Sequence, residues 1–78
     1  MRTIPTNRLR RALRRLNLKP RVQGNGTGHE VWTDSLGRTC KPVLRKKDIN
    51  IASLFSLGLE MESKGIVDRR TFMREVLG

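Results

Sequence analysis

Tyrosine is absent, the aromatic share is 4%, and cysteine and histidine occur once each in 78 residues. With so few aromatic faces, the composition argues against a single-strand binder that grips bases by stacking. Cys40 alone cannot close an internal disulfide, and one cysteine with one histidine cannot complete a four-ligand zinc site. The expectation is a cytoplasmic chain without metal or other cofactor. Long apolar runs are missing too. Nothing approaches the roughly 20 residues that span a bilayer, and the first residues lack the apolar stretch of a signal peptide, so neither membrane insertion nor export is expected. The length suffices for one small domain over residues 1–78, without room for a second core.

Acidic residues are scarce as well: 7 Asp and Glu stand against 17 Lys and Arg, for a net charge of +10. Such a balance favours polyanionic partners. The excess is concentrated, since Met1 to Gln23 carries eight basic residues and no acid. There Leu9, Leu13 and Leu16 recur at helical spacing with Ala12 beside them, while Arg8, Arg10, Arg11, Arg14 and Arg15 lie off or beside that stripe. The pattern predicts an amphipathic helix from about Thr6 to Leu16, with a cationic outer face, Thr6 as N-cap, and Asn17 and Pro20 at its far limit.

Beyond it, Arg21-Val22-Gln23 and His29 to Thr33 read as two short strands around the glycine-rich run Gly24 to Gly28. Alternation puts His29, Val31 and Thr33 on one face, and Glu30 with Trp32 on the other. Asp34-Ser35-Leu36-Gly37 has hairpin chemistry, and Arg38 to Leu44 returns as a third strand with Pro42 at its end. Asp48 or Asn50 then caps a helix carrying Ile51, Leu54, Phe55, Gly58, Leu59 and Met61 that stops near Lys64-Gly65. Asp68 caps a last short helix bearing Phe72, Met73, Val76 and Leu77. The expected fold is α+β, in the order α-β-β-β-α-α. Its three-stranded antiparallel sheet has the helices packed on one face, burying Leu9, Leu13, Leu16, Val31 or Trp32, Leu54 and Phe55.

The glycine run invites a phosphate-loop reading, yet it matches neither Gly-x-Gly-x-x-Gly nor a Walker A pattern, and no βαβ unit surrounds it. A hairpin connection is the plainer account. His29 is the only side chain whose ordinary pKa lies near neutrality, so proton transfer at physiological pH would run most easily through it. Cleavage of RNA needs little more than proton movement and cations for the phosphorane, because the neighbouring 2′-hydroxyl is the nucleophile. Taken alone, a solitary strand histidine is more often an idle residue on a wet face. Cys40 reads as a small buried hydrophobe, Trp32 as core against Leu54 or Phe55, and Glu30, on Trp32's face, as non-catalytic.

The local sequence singles His29 out. Gly26-Thr27-Gly28-His29-Glu30-Val31-Trp32, followed by Gly37-Arg38, resembles the strand-two signature of HicA-family toxins, in which a Gly-Ser-His-like segment enters an apolar strand. Ala52-Ser53-Leu54 sits where members often show a Gly-Thr-Leu-like helix start, and the likeness covers about three quarters of the chain. The resemblance implies a fold similar to double-stranded-RNA-binding domains. It also implies a metal-independent endoribonuclease that cuts mRNA with His29 as general acid or base and is neutralised by a HicB-type antitoxin. Two departures stand out: Gly28 replaces the common Ser, and the helix after Asp68 is additional.

For phosphate contact the candidates are Arg10, Arg11, Arg14 and Arg15 on the first helix, with Arg45, Lys46 and Lys47 as a second group. The same surface would suit an acidic antitoxin. Two other readings remain: a non-catalytic RNA-binding module of the same fold, and a helix-turn-helix over Ile51 to Leu77 that reads DNA.

Overall fold

The computed structural model describes residues 2–21, 30–42, 44 and 46–78. Helix α1 (Thr6–Arg15) buries Leu9, Ala12 and Leu13 along the expected stripe. It ends where Asn17 takes a left-handed φ of 67°. Asn17 N–H then donates to Arg14 O and Leu18 N–H to Leu13 O, each at 3.0 Å, so two orphan carbonyls are satisfied. This sharp stop sends Leu18 into the core and starts strand β2 (Lys19–Arg21) at once. The strand therefore begins two residues before the expected Arg21. Pro20 is tolerated within it because β2 is an edge strand.

Strands β2, β3 (Val31–Thr33) and β4 (Thr39–Cys40) form the expected three-stranded antiparallel meander. Pro20 and Cys40 both lie opposite Trp32. The β3–β4 turn is organised by Asp34, whose Oδ1 accepts the N–H groups of Leu36 and Arg38 and whose Oδ2 accepts Arg38 Nε–H at 2.8 Å. β4 is shorter than the expected Arg38 to Leu44 strand, although Pro42 O still accepts Glu30 N–H at 3.3 Å.

Two strands were not expected. β1 (Thr3–Pro5) pairs antiparallel with β5 (Asp48–Asn50), matching Ile4 with Ile49. The order is therefore β-α-β-β-β-β-α-α within an α+β fold, not α-β-β-β-α-α. This pairing also corrects the helix start. Pro5, still extended, occupies the N-cap position without a side-chain cap, and Thr6 is already helical. The Thr6 amide and hydroxyl both donate to Lys47 O, at 2.7 and 3.0 Å, because the β1–β5 ladder brings that carbonyl over the helix entrance.

Helix α2 (Ile51–Ser63) is capped by Asn50, whose Oδ1 accepts Ser53 N–H at 2.7 Å. It closes through Gly65 at φ 75°, with Ile66 N–H donating to Met61 O. Helix α3 (Arg69–Leu77) is capped by Asp68, which accepts Thr71 N–H at 2.8 Å. The helices meet closely at Gly58, where an added Cβ would lie 3.2 Å from Phe72 Cδ2. One core unites Leu9, Leu13, Trp32, Leu54, Met61 and Phe72. Trp32 and Leu54 are both fully buried in this core, as expected, but Phe55 is 54% exposed. The buried stripe of α2 is Leu54, Leu57, Gly58 and Met61, which turns Phe55 outward. Leu16 is only partly buried, because it caps α1 instead of extending it. Val31 and Trp32 are both buried.

Candidate nucleic-acid interface

The arginines of α1 divide according to what they lean on. Arg10 and Arg14, one turn apart, lie on the flank toward β3. Arg10 donates from Nε and Nη2 to the Glu30 carboxylate, from Nη1 to Asn7 Oδ1 at 2.9 Å, and from Nη2 to Leu44 O. Glu30 in turn accepts Trp32 Nε1–H at 3.0 Å. The Arg10 hydrogen bonds hold the Glu30 carboxyl below its ordinary pKa, against the opposing pull of desolvation, with Trp32 and the charge of Arg14 assisting. Glu30 is thus a structural carboxylate that secures the entrance of β3. Strand parity placed it beside Trp32, but its partner twenty residues earlier carried no sequence signal.

Arg14 is exposed and sets its guanidinium carbon 5.4 Å from the Trp32 ring centroid, a contact worth about 0.5–1 kcal/mol at such sites. Trp32 is fully buried and occupied on its face and at its Nε1, so it offers no platform for a base. On the other flank, Arg15 bonds the side chain and carbonyl of Glu75 at 2.9 and 2.7 Å, and Arg8 bonds Leu77 O at 2.8 Å. Both arginines brace α1 against α3. Arg11 stands between the flanks, exposed and without a hydrogen-bond partner among the described residues.

Lys46 and Lys47 are exposed on the bend that leads into β5. Together with Arg10 they line a groove of about 490 Å³ over the start of α1, so among the described residues one member of the first predicted basic group meets two of the second there. His29 and Arg45 lie outside the described residues. Two exposed cations on β2 were not among the sequence candidates. Lys19 and Arg21 flank Pro20 and lie opposite Thr33 and Val31, and their signal was the alternation of basic residues along an edge strand. The described arrangement leaves Arg11, Arg14, Lys46 and Lys47 exposed, while Arg8, Arg10 and Arg15 do structural work.

Cys40 is buried, and desolvation, aided by Glu60, pushes its thiol pKa up to about 12, which keeps it protonated and unreactive. Among the described residues no three His, Cys, Asp or Glu side chains gather as a metal site requires, and no helix is long and apolar enough to cross a membrane. Compared with models of known protein families, with curated proteins and with solved structures, the chain matches none.

Proposed function

We propose that this protein is a HicA-like toxin that cleaves mRNA in the cytoplasm without a metal and is held in check by an acidic HicB-type antitoxin. The observation that carries the reading is the placing of a basic helix against the strand that the Gly26 to His29 segment enters. Arg10 of that helix clasps Glu30, the residue after His29. His29 then moves a proton while the ribose 2′-oxygen bonds to phosphorus and the P–O5′ bond breaks. Arg11, Arg14, Lys46 and Lys47 hold the RNA backbone. A second reading, an RNA-binding module of the same fold without turnover, is favoured by one observation: Gly28 lacks the hydroxyl common in HicA sequences at that place.

The test is incubation of the purified protein with a defined RNA in chelator, beside His29→Ala, with the fold of both checked by circular dichroism. Cutting by the wild type alone, leaving 2′,3′-cyclic phosphate ends, supports the toxin. Binding without turnover selects the module. Equal cutting by both removes His29 from the mechanism.

A further inference from the structure

A second groove, of about 530 Å³, adjoins the one beside α1 and shares Lys46 and Asp48 with it. Its size falls within the roughly 300–1,000 Å³ of small-ligand sites. The floor is apolar and built from buried side chains, Pro42, Ile49 and Leu57. The walls are polar: Asp48 from β5, and Ser53 and Ser56 from α2. Lys41 and Lys46 line it as cations, both exposed. The other lining acid, Glu60, is already paired with Lys64 at 2.9 Å. Asn50 Oδ1 is likewise committed, to the Ser53 amide.

We infer that this groove takes one unstacked base of a single-stranded RNA and reads its edge. The inference rests on the RNA-binding reading above and specifies how that surface discriminates. A phosphate is a poor occupant, because the carboxylate of Asp48 would face it. A base is a good one, since its flat faces bury on Pro42 and Leu57 while the phosphates on either side of it stay with Lys41 and Lys46. Asp48 is an acceptor only, so it favours bases that offer an exocyclic amino group over uracil, whose single N3–H donor is flanked by two carbonyl oxygens that repel a carboxylate. Among the described residues no aromatic side chain lines the groove, so selectivity comes from hydrogen bonding and shape instead of stacking. The shared Lys46 joins the base site to the groove that Arg10 and Lys47 line, which lets one RNA strand run through both.

The test is fluorescence anisotropy with labelled 2′-O-methyl oligomers, which cannot be cut through the 2′-oxygen. The probes are A8, C8, U8 and an abasic chain of equal length. Wild-type protein is expected to bind A8 or C8 at least about fivefold more tightly than U8 or the abasic chain. Ser56→Phe plugs the groove from an exposed helix position without changing charge, and Asp48→Asn removes the acceptor-only group. Each is expected to bring the ratio to within about twofold while leaving the salt slope unchanged. If the preference survives both substitutions, or the wild type shows none, the base-reading assignment is overturned while RNA binding stands; a groove that instead received a protein partner would give this result. If no oligomer binds at low salt, the RNA reading itself fails.

Discussion

Arg10 and Glu30 form a two-pronged ion pair across twenty residues, tying helix α1 to the entrance of β3, and Glu30 extends the link to Trp32. Their side chains are only 29% and 30% exposed, so solvent does not fully screen the pair. Arg10→Ala leaves a sheltered carboxylate short of its main partner and should lower the unfolding free energy by about 1–2 kcal/mol. A fall in urea midpoint at unchanged slope is the expected record.

The same pair makes a prediction about acid. Glu30 has an ordinary carboxyl pKa of 4.5 when unfolded and a lower one when folded, first through the Arg10 hydrogen bonds. A group lowered in this way contributes stability above its unfolded pKa and loses it as pH falls through the folded value. The stability difference between wild type and Glu30→Gln should therefore be full at pH 7 and shrink progressively below pH 4.5. Urea titrations at neutral and acidic pH that gave the same difference would contradict the clasp.

Salt dependence separates bracing arginines from contact arginines. Arg11→Gln and Lys46→Gln should each reduce the log–log salt slope of RNA binding by about 0.7–0.9. Arg15→Gln, whose charge is already taken up by Glu75, should change the slope much less and cost under about 1 kcal/mol of stability. Equal slopes for all three variants would mean that the face of α1 is not where RNA lies.

Asn17 is the only described non-glycine residue with positive φ, at 67°. Asn17→Gly should be neutral or stabilising by up to about 1 kcal/mol, and Asn17→Val should cost about 1–2 kcal/mol. Thermal melts with Asn17→Gly at or above wild type and Asn17→Val below it would record this.

At Gly58 the contact with Phe72 sets the limit on size. Gly58→Ala should stay within about 1 kcal/mol of wild type, as helix propensity gained offsets crowding, whereas Gly58→Val should destabilise by about 2 kcal/mol. Denaturant titration distinguishes these outcomes.

The parts of the fold that were legible in the sequence are those set by neighbours along the chain. Asn50 and Asp68 each sit three residues before the amide they cap, and the Leu9 to Leu13 spacing marks the buried side of α1. The β1–β5 ladder was not legible because each strand has three residues and a single buried apolar position, too short for alternation to register. Phe55 was misplaced because a stripe of apolar residues on α2 is broader than the side it buries. The engagement of Arg10 with Glu30 depends on how α1 crosses the sheet, which no local pattern states. For the candidate site, charge clustering alone named Arg11, Arg14, Lys46 and Lys47, all of which are exposed, whereas the groove behind Lys46 exists only through the meeting of β5 with α2.

The double acceptance of Thr6 by the Lys47 carbonyl bears on synthesis of the chain. Helix α1 has ten residues, fewer than the roughly 12–15 that an isolated helix needs in water. A nascent chain released only as far as residue 40 therefore holds these arginines without the carbonyl that seats the helix. The arginines of α1 take up their fixed spacing only once residue 47 has emerged and its carbonyl can seat the first turn of the helix.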